Sequence, residues 1–246
     1  MTVLIVGHRG AKDHRPENSL ASFALAEQIG VDEIEMDVRV SRDGHLFILH
    51  DDTLDRTAGE DAGRGRGPVA AQTLEQLQRV RLDSGRGVVT VAEMYDATRT
   101  PIQLEVKDEA ALPALALFFA ERPADAARTI LAAFSADTLS AAADALPTLR
   151  RQIILTELAD AEAFAGGLDG LLGYTRASRV ACGFAGLTGA RVAELQGGGL
   201  EVHVWPMTSM ADMVAAVALG ADGTTSGDPA QAIAWRDRAL AERITR

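Results

Sequence analysis

The strongest constraint in this sequence is a repeated alternation. Short apolar runs of strand character are separated by Ala/Leu-rich stretches of helical spacing. Nine strand-like runs stand out, among them "VLIVG" at 3, "DEIEMDVRV" at 32, "LFILHD" at 46, "IQLEVK" at 102, "TILAAFS" at 129, "QIILTE" at 152, "RVACG" at 179, "LEVHVW" at 200 and "ADGTTS" at 221. Between most of them lie segments such as "PENSLASFALAEQIG", where Asn18 or Ser19 can cap a helix and Gly30 can end it. Strands alternating with helices favour a parallel sheet covered by helices. At 246 residues the chain has the length of a (β/α)8 barrel. No linker or break in composition divides it, so one catalytic-size domain over residues 1–246 is expected. One interval resists this scheme. Only the turn "SRDGH" separates the second and third runs, too short for a parallel crossover, so the pair forms a hairpin or part of it is loop. The Gly- and charge-rich stretch 59–68, inside a variable segment at about 52–90, reads as a loop inserted after the run that ends at His50.

Alternation also assigns faces. In "EIEMDV", Ile34, Met36 and Val38 share one face and Glu35 and Asp37 the other. In "QLEVK", Gln103, Glu105 and Lys107 oppose Leu104 and Val106; in "EVHVW", His203 and Trp205 oppose Val202 and Val204. The outer face of a barrel strand packs on helices, so the polar sets point to the barrel axis. Unpaired buried charges cost several kcal/mol each, so Glu35, Asp37 and Glu105 need neutralising. Two readings stand at this point: a divalent cation of the Mg2+ or Ca2+ type held by oxygen ligands, or a buried ion-pair network with Arg9 and Lys107.

His8 and His50 both end apolar runs, where barrel active sites lie. Two histidines can divide general-base and general-acid duty, and phosphodiester hydrolysis needs both. Arg9 and Lys107 bring positive charge to the same end, and Trp205 can wall the alcohol part of a substrate or simply fill the barrel. His14 and His45 sit in polar loops and carry no expectation; His203 is a candidate liner.

The net charge of −11 argues against nucleic acid and against extended contact with anionic lipid, while leaving room for a small phosphate-bearing ligand. Cys182 is the single cysteine, and no apolar run reaches membrane-spanning length, so no membrane anchor is expected and a cytoplasmic location follows by default.

The series "GHRG" at 7, "PEN" at 16, "EMDV" at 35, "RDG" at 42, "LHDDTLDRT" at 49, "LEVK" at 104, "VHVWPM" at 202 and "GADGTTSGDP" at 220 resembles the glycerophosphodiester phosphodiesterase family over nearly the whole chain. No single piece is specific; their order is. The resemblance implies a TIM-type (β/α)8 barrel and metal-dependent cleavage of small-molecule glycerophosphodiesters to glycerol 3-phosphate and an alcohol. It implies His8 and His50 as the acid/base pair, Glu35, Asp37 and Glu105 as ligands of one Mg2+ or Ca2+, Arg9 and Lys107 as phosphate ligands, and Trp205 beside the substrate. Three features depart from the pattern: Ser19 where threonine is usual, Gly227 where aspartate is common, and a short segment between His50 and Glu105. Lysophospholipase-D-like action on acylated lipids, a non-catalytic phosphate-binding barrel and a carbonyl or enolate chemistry on Lys107 are the competing readings.

Overall fold

A computed structural model describes residues 2–59 and 65–244. Among the described residues ten strands run in chain order: β1 (Leu4–Gly7), β2 (Glu33–Val40), β3 (Leu46–Ile48), β4 (Val89–Thr90), β5 (Ile102–Val106), β6 (Thr129–Ala133), β7 (Arg150–Ile154), β8 (Arg179–Cys182), β9 (Glu201–Val204) and β10 (Gly223–Ser226). Eight of them are parallel and close on themselves, because β1 pairs with both β10 and β2. Helices between the strands cover the outside, as in a (β/α)8 barrel.

The outward faces are the apolar ones. Ile34, Met36 and Val38 of β2 belong to a buried cluster with Phe23, Tyr95 and Leu115 from surrounding helices. The helix Leu20–Ile29 starts where its sequence signals place it. Ser19 caps it by accepting from the Ser22 amide, and Gly30 ends it at φ 88, a conformation that glycine adopts without steric cost.

The awkward second and third runs form a hairpin. β3 pairs antiparallel with the upper part of β2 (Val38↔Ile48, Arg39↔Phe47, Val40↔Leu46), and β4 pairs antiparallel with β3. So β3 is no barrel stave. Its chain runs back toward the mouth and delivers His50 there, a different route from the strand end expected for it. β4, two residues long, is too short to show a period and went unforeseen.

The segment expected at about 52–90 as a variable loop or cap holds regular structure among its described residues, 52–59 and 65–90. Within them lie a turn of 3-10 helix at Val69–Ala71 and a short helix, Leu74–Gln78, opened by a capping box at Thr73 and Gln76. Leu54, Val69, Leu77, Val80 and Val88 pack with Phe47 and Leu49 into a small core of their own. Residues 60–64, part of the expected loop, lie outside the described residues. Among the described residues, no helix is long and apolar enough to cross a membrane.

Candidate functional site

Every polar residue placed on the axis by alternation is found at the barrel interior or its mouth. Glu35, Asp37 and Glu105 are buried, and one oxygen from each lies within 4.8 Å of the others. The register explains this meeting, since Asp37 of β2 sits beside Glu105 of β5 in adjacent parallel strands.

The "GHRG" turn is built for this position. Arg9 takes φ 51, and Gly10 takes φ 85 with Ser22 so close that a Cβ there would collide with it. The turn aims the Arg9 amide at Glu35 Oε2 (2.8 Å) and sets His8 Nε2 3.9 Å from the same oxygen. The Arg9 guanidinium lies between Asp37, 3.3 Å from Nε to Oδ2, and Glu17, to which Nη1 donates at 2.9 Å. Lys107 Nζ lies 3.1 Å from Asp37 Oδ1 and also pairs with Glu105.

Two cations therefore face three carboxylates, and the balance is incomplete. Glu35 Oε1 is buried with no hydrogen-bond partner. Burial, and then the charges of Asp37 and Glu105, push the Glu35 carboxyl well above its ordinary range. Glu105 is raised by burial and by Asp37, against the pull of Lys107. Burial would raise Asp37 too, but Lys107 and Arg9 outweigh it and hold that carboxyl down. A cluster of oxygen donors that includes the orphaned Glu35 Oε1 and carries an unbalanced negative charge has the chemistry of a hard divalent cation site.

His8 and His50 line one cavity of about 300 Å³ with Arg9, Glu35, Glu105, Lys107 and Trp205. Burial, then Arg9 and Lys12, pull His8 down to about 3, so its imidazole is neutral here. His50 Nδ1 lies 2.6 Å from Asp51 Oδ1, which leaves Nε2 as the free ring nitrogen. Arg39 holds the His50 carbonyl through Nε and Nη2 at 3.1 and 2.7 Å. Trp205 forms one wall, its Nε1 donating to the Leu155 carbonyl at 3.2 Å and its ring meeting Phe134 edge-on at 5.9 Å. His203 is buried beneath the cavity over Gly223, which leaves room for its ring, and burial pulls it well below its ordinary range. His14 and His45 stay outside, beside Asp228 and Asp43. Gly227, noted above as a departure, lies where a Cβ would strike the Asp13 carboxylate.

Three contributors went unforeseen. Asn18 Nδ2 donates to Asp37 Oδ2 at 2.8 Å. Glu17 steers Arg9, as given above. Arg56, in the segment after His50, grips both sides. It donates to Asp51 from Nε (2.6 Å) and Nη2 (3.1 Å), and to Glu17 from Nη1 (2.8 Å) and Nη2 (2.7 Å). The "PEN" and "LDRT" motifs were visible, but a loop has no period from which a side-chain direction can be read.

Comparison with known proteins gives a family and a fold. The model of the glycerophosphoryl diester phosphodiesterase family matches residues 8–231. A glycerophosphodiester phosphodiesterase of Caldanaerobacter subterraneus is 39% identical over 106 residues, which is 43% of this chain and 40% of that protein. The chain thus spans about two fifths of that relative's length. The crystal structure of a glycerophosphodiester phosphodiesterase from Agrobacterium tumefaciens superposes with a TM-score of 0.76 at 26% identity, covering 96% of this chain and 99% of that one. An Oleispira antarctica phosphodiesterase, solved with its product sn-glycerol-3-phosphate, shares the fold with a TM-score of 0.82 at 20% identity, over 96% and 97% of the two chains.

Proposed function

The chain belongs to the glycerophosphoryl diester phosphodiesterase family, and from that premise we propose that it hydrolyses glycerophosphodiesters to glycerol 3-phosphate and an alcohol, with His8 and His50 as the acid/base pair. The observation that carries this reading is the convergence of two imidazoles and two cations on one cavity that borders a cluster of three carboxylates. In this reading residues 1–246 act as one catalytic barrel, and 52–90 form its variable rim.

Glu35, Asp37 and Glu105 would hold one Mg2+ or Ca2+, and Glu35 Oε1, without a partner, is free to join. When bound, such a cation would supply Lewis-acid neutralisation of charge on the phosphoryl oxygens. Arg9 and Lys107 face the cavity and attract the phosphate by charge. His8 and His50 move the protons: one takes the proton of the nucleophile, which is water or else the substrate's own glycerol hydroxyl, whose cyclic phosphate water then opens, and the other protonates the departing alkoxide. Asp51 fixes the His50 tautomer by holding Nδ1, so the proton passes through Nε2. Trp205 and Phe134 form an apolar wall against the alcohol portion.

The test is release of glycerol 3-phosphate from a panel of glycerophosphodiesters, with and without EDTA followed by Mg2+ or Ca2+. Activity should vanish on chelation and return with metal. His8→Ala and His50→Ala should each lose about 10²- to 10⁴-fold in kcat. Full turnover in either variant removes that histidine from the pair, and activity indifferent to thorough chelation returns the carboxylates to an ion-pair role.

A further inference from the structure

The parallel register descends by about one residue per strand around the barrel. From Asp37 it passes through Glu105, Ala132 and Gln152 to Arg179, whose guanidinium meets Glu33, two inward positions below Asp37 on β2. Inward side chains therefore stack in layers taken from alternate strands. The layer at the height of Glu35 is completed by Ala132, Ala181 and Thr225. Three small residues cannot fill it, so the cavity sinks through it and reaches the layer beneath.

That lower layer presents Gln103 and Gln152 to the cavity. Gln103 is 3% exposed and Gln152 0%. Gln103 Oε1 and Gln152 Nε2 have no hydrogen-bond partner. The Gln152 amide is oriented from below, because its Oε1 takes the Arg179 Nη1 at 3.5 Å, leaving Nε2 as the unmatched donor. An unmatched acceptor and an unmatched donor thus lie buried in the side chains that form the floor of one pocket, where a small shift of either amide brings it to a ligand. Leaving both unmade is unfavourable, because a buried donor or acceptor has given up its hydration with nothing in return. A hydroxyl group both donates and accepts, so it matches the pair, whereas a phosphate oxygen offers no donor and an alkyl group offers neither.

We propose that Gln103 and Gln152 form a hydroxyl-binding subsite at the floor of the cavity, which selects substrates by the glycerol hydroxyls attached to the phosphate. This rests on the function proposed above and adds to it the residues that tell glycerol from a plain alkyl group. A site built to hydrogen-bond a hydroxyl discriminates against an analogue lacking it, because its own polar groups are then left unpaired.

Binding, not turnover, tests this. The protein is titrated calorimetrically with sn-glycerol 3-phosphate and with ethyl phosphate, which carries the same phosphate and no hydroxyl, in buffer containing Mg2+ or Ca2+. Wild type should bind glycerol 3-phosphate about 10- to 100-fold more tightly than ethyl phosphate, the worth of one or two hydrogen bonds. Gln103→Met and Gln152→Met, close in volume, should each shrink that ratio while leaving ethyl phosphate affinity within about twofold, and a melting curve checks that each variant is folded. Equal affinities in the wild type would mean that only water occupies the floor and would overturn the proposal. A ratio unchanged in both variants would overturn it equally. Absence of binding of either ligand to the wild type would instead count against the phosphodiesterase reading.

Discussion

Asn18 and Asp37 are joined by a 2.8 Å hydrogen bond from the Asn18 amide to Oδ2, between a turn residue and a buried strand residue. Asn18 is itself buried and takes φ 53, a conformation that asparagine tolerates better than most residues. One residue therefore satisfies a backbone demand and a site demand. Asn18→Gly keeps the backbone freedom and removes the amide, whereas Asn18→Ala loses both. Both variants should lose about 10-fold in kcat/KM, the worth of a hydrogen bond to a charged group. Only Asn18→Ala should add a strain cost of about 1 kcal/mol in urea unfolding. Activity retained in Asn18→Gly would confine Asn18 to turn geometry.

Arg56 stands between two clients. Asp51 leads to His50, and Glu17 leads to Arg9. Asp51→Asn should lower kcat with KM nearly kept, and Glu17→Gln should raise KM with kcat nearly kept. Arg56→Gln should do both, by about 10-fold or more in each, since misplacing catalytic groups by an ångström is that costly. Arg56→Lys should restore neither fully, because an ammonium cannot present two parallel donors to each carboxylate. Steady-state kinetics of these four variants and of the Arg56→Gln/Asp51→Asn double variant decides this, and additivity of the two changes in kcat would disprove the link.

The Arg56 guanidinium, against a smaller opposing effect of burial, holds the Asp51 carboxyl down to about 2 from an ordinary 3.8, with His50 assisting. A folded-state pKa below the unfolded one gives stability that is present above the unfolded value. It is lost as pH falls through the folded value. The stability difference between wild type and Asp51→Asn should therefore be flat from neutral pH to about 4, then narrow as pH drops through about 2. Urea unfolding of both proteins along that pH series measures it; a gap that closes near pH 6 would assign the effect to another group.

At the barrel's lower end Arg179, 2% exposed, donates to both Glu33 oxygens at 2.7 and 2.8 Å and to Glu201 at 2.7 Å. Burying a carboxylate without its partner is expensive. Arg179→Met should cost about 3–5 kcal/mol of unfolding free energy, and adding Glu33→Leu should recover much of it. If the single variant unfolds like the wild type, water reaches this layer and the pair matters little.

How far the sequence reveals this molecule depends on periodicity. The alternation in "EIEMDV" and "QLEVK" put Glu35, Asp37 and Glu105 on the axis, and they meet there, because a strand buried on both faces leaves a side chain only two directions. Trp205 and Lys107 followed from the same rule. His50 was placed at the mouth, but as a barrel strand end, whereas an antiparallel hairpin brings it there. Asn18, Glu17 and Arg56 were beyond that rule. They lie on turns, where direction is set by single residues in left-handed or capped conformations rather than by a repeat. The sunken floor was also hidden, since it depends on stagger around the ring and not on any one segment.

The hairpin has a further consequence. The excursion that carries Arg56 leaves through β3 and returns through β4, two strands paired to each other, so its anchor points stay fixed whatever hangs between them. Lengthening such a tethered segment adds only about 0.6 kcal/mol of closure entropy per doubling. The hairpin thus grips both ends of the excursion, and His50, two residues past the end of β3, takes its aim from that fixed edge rather than from whatever the excursion carries.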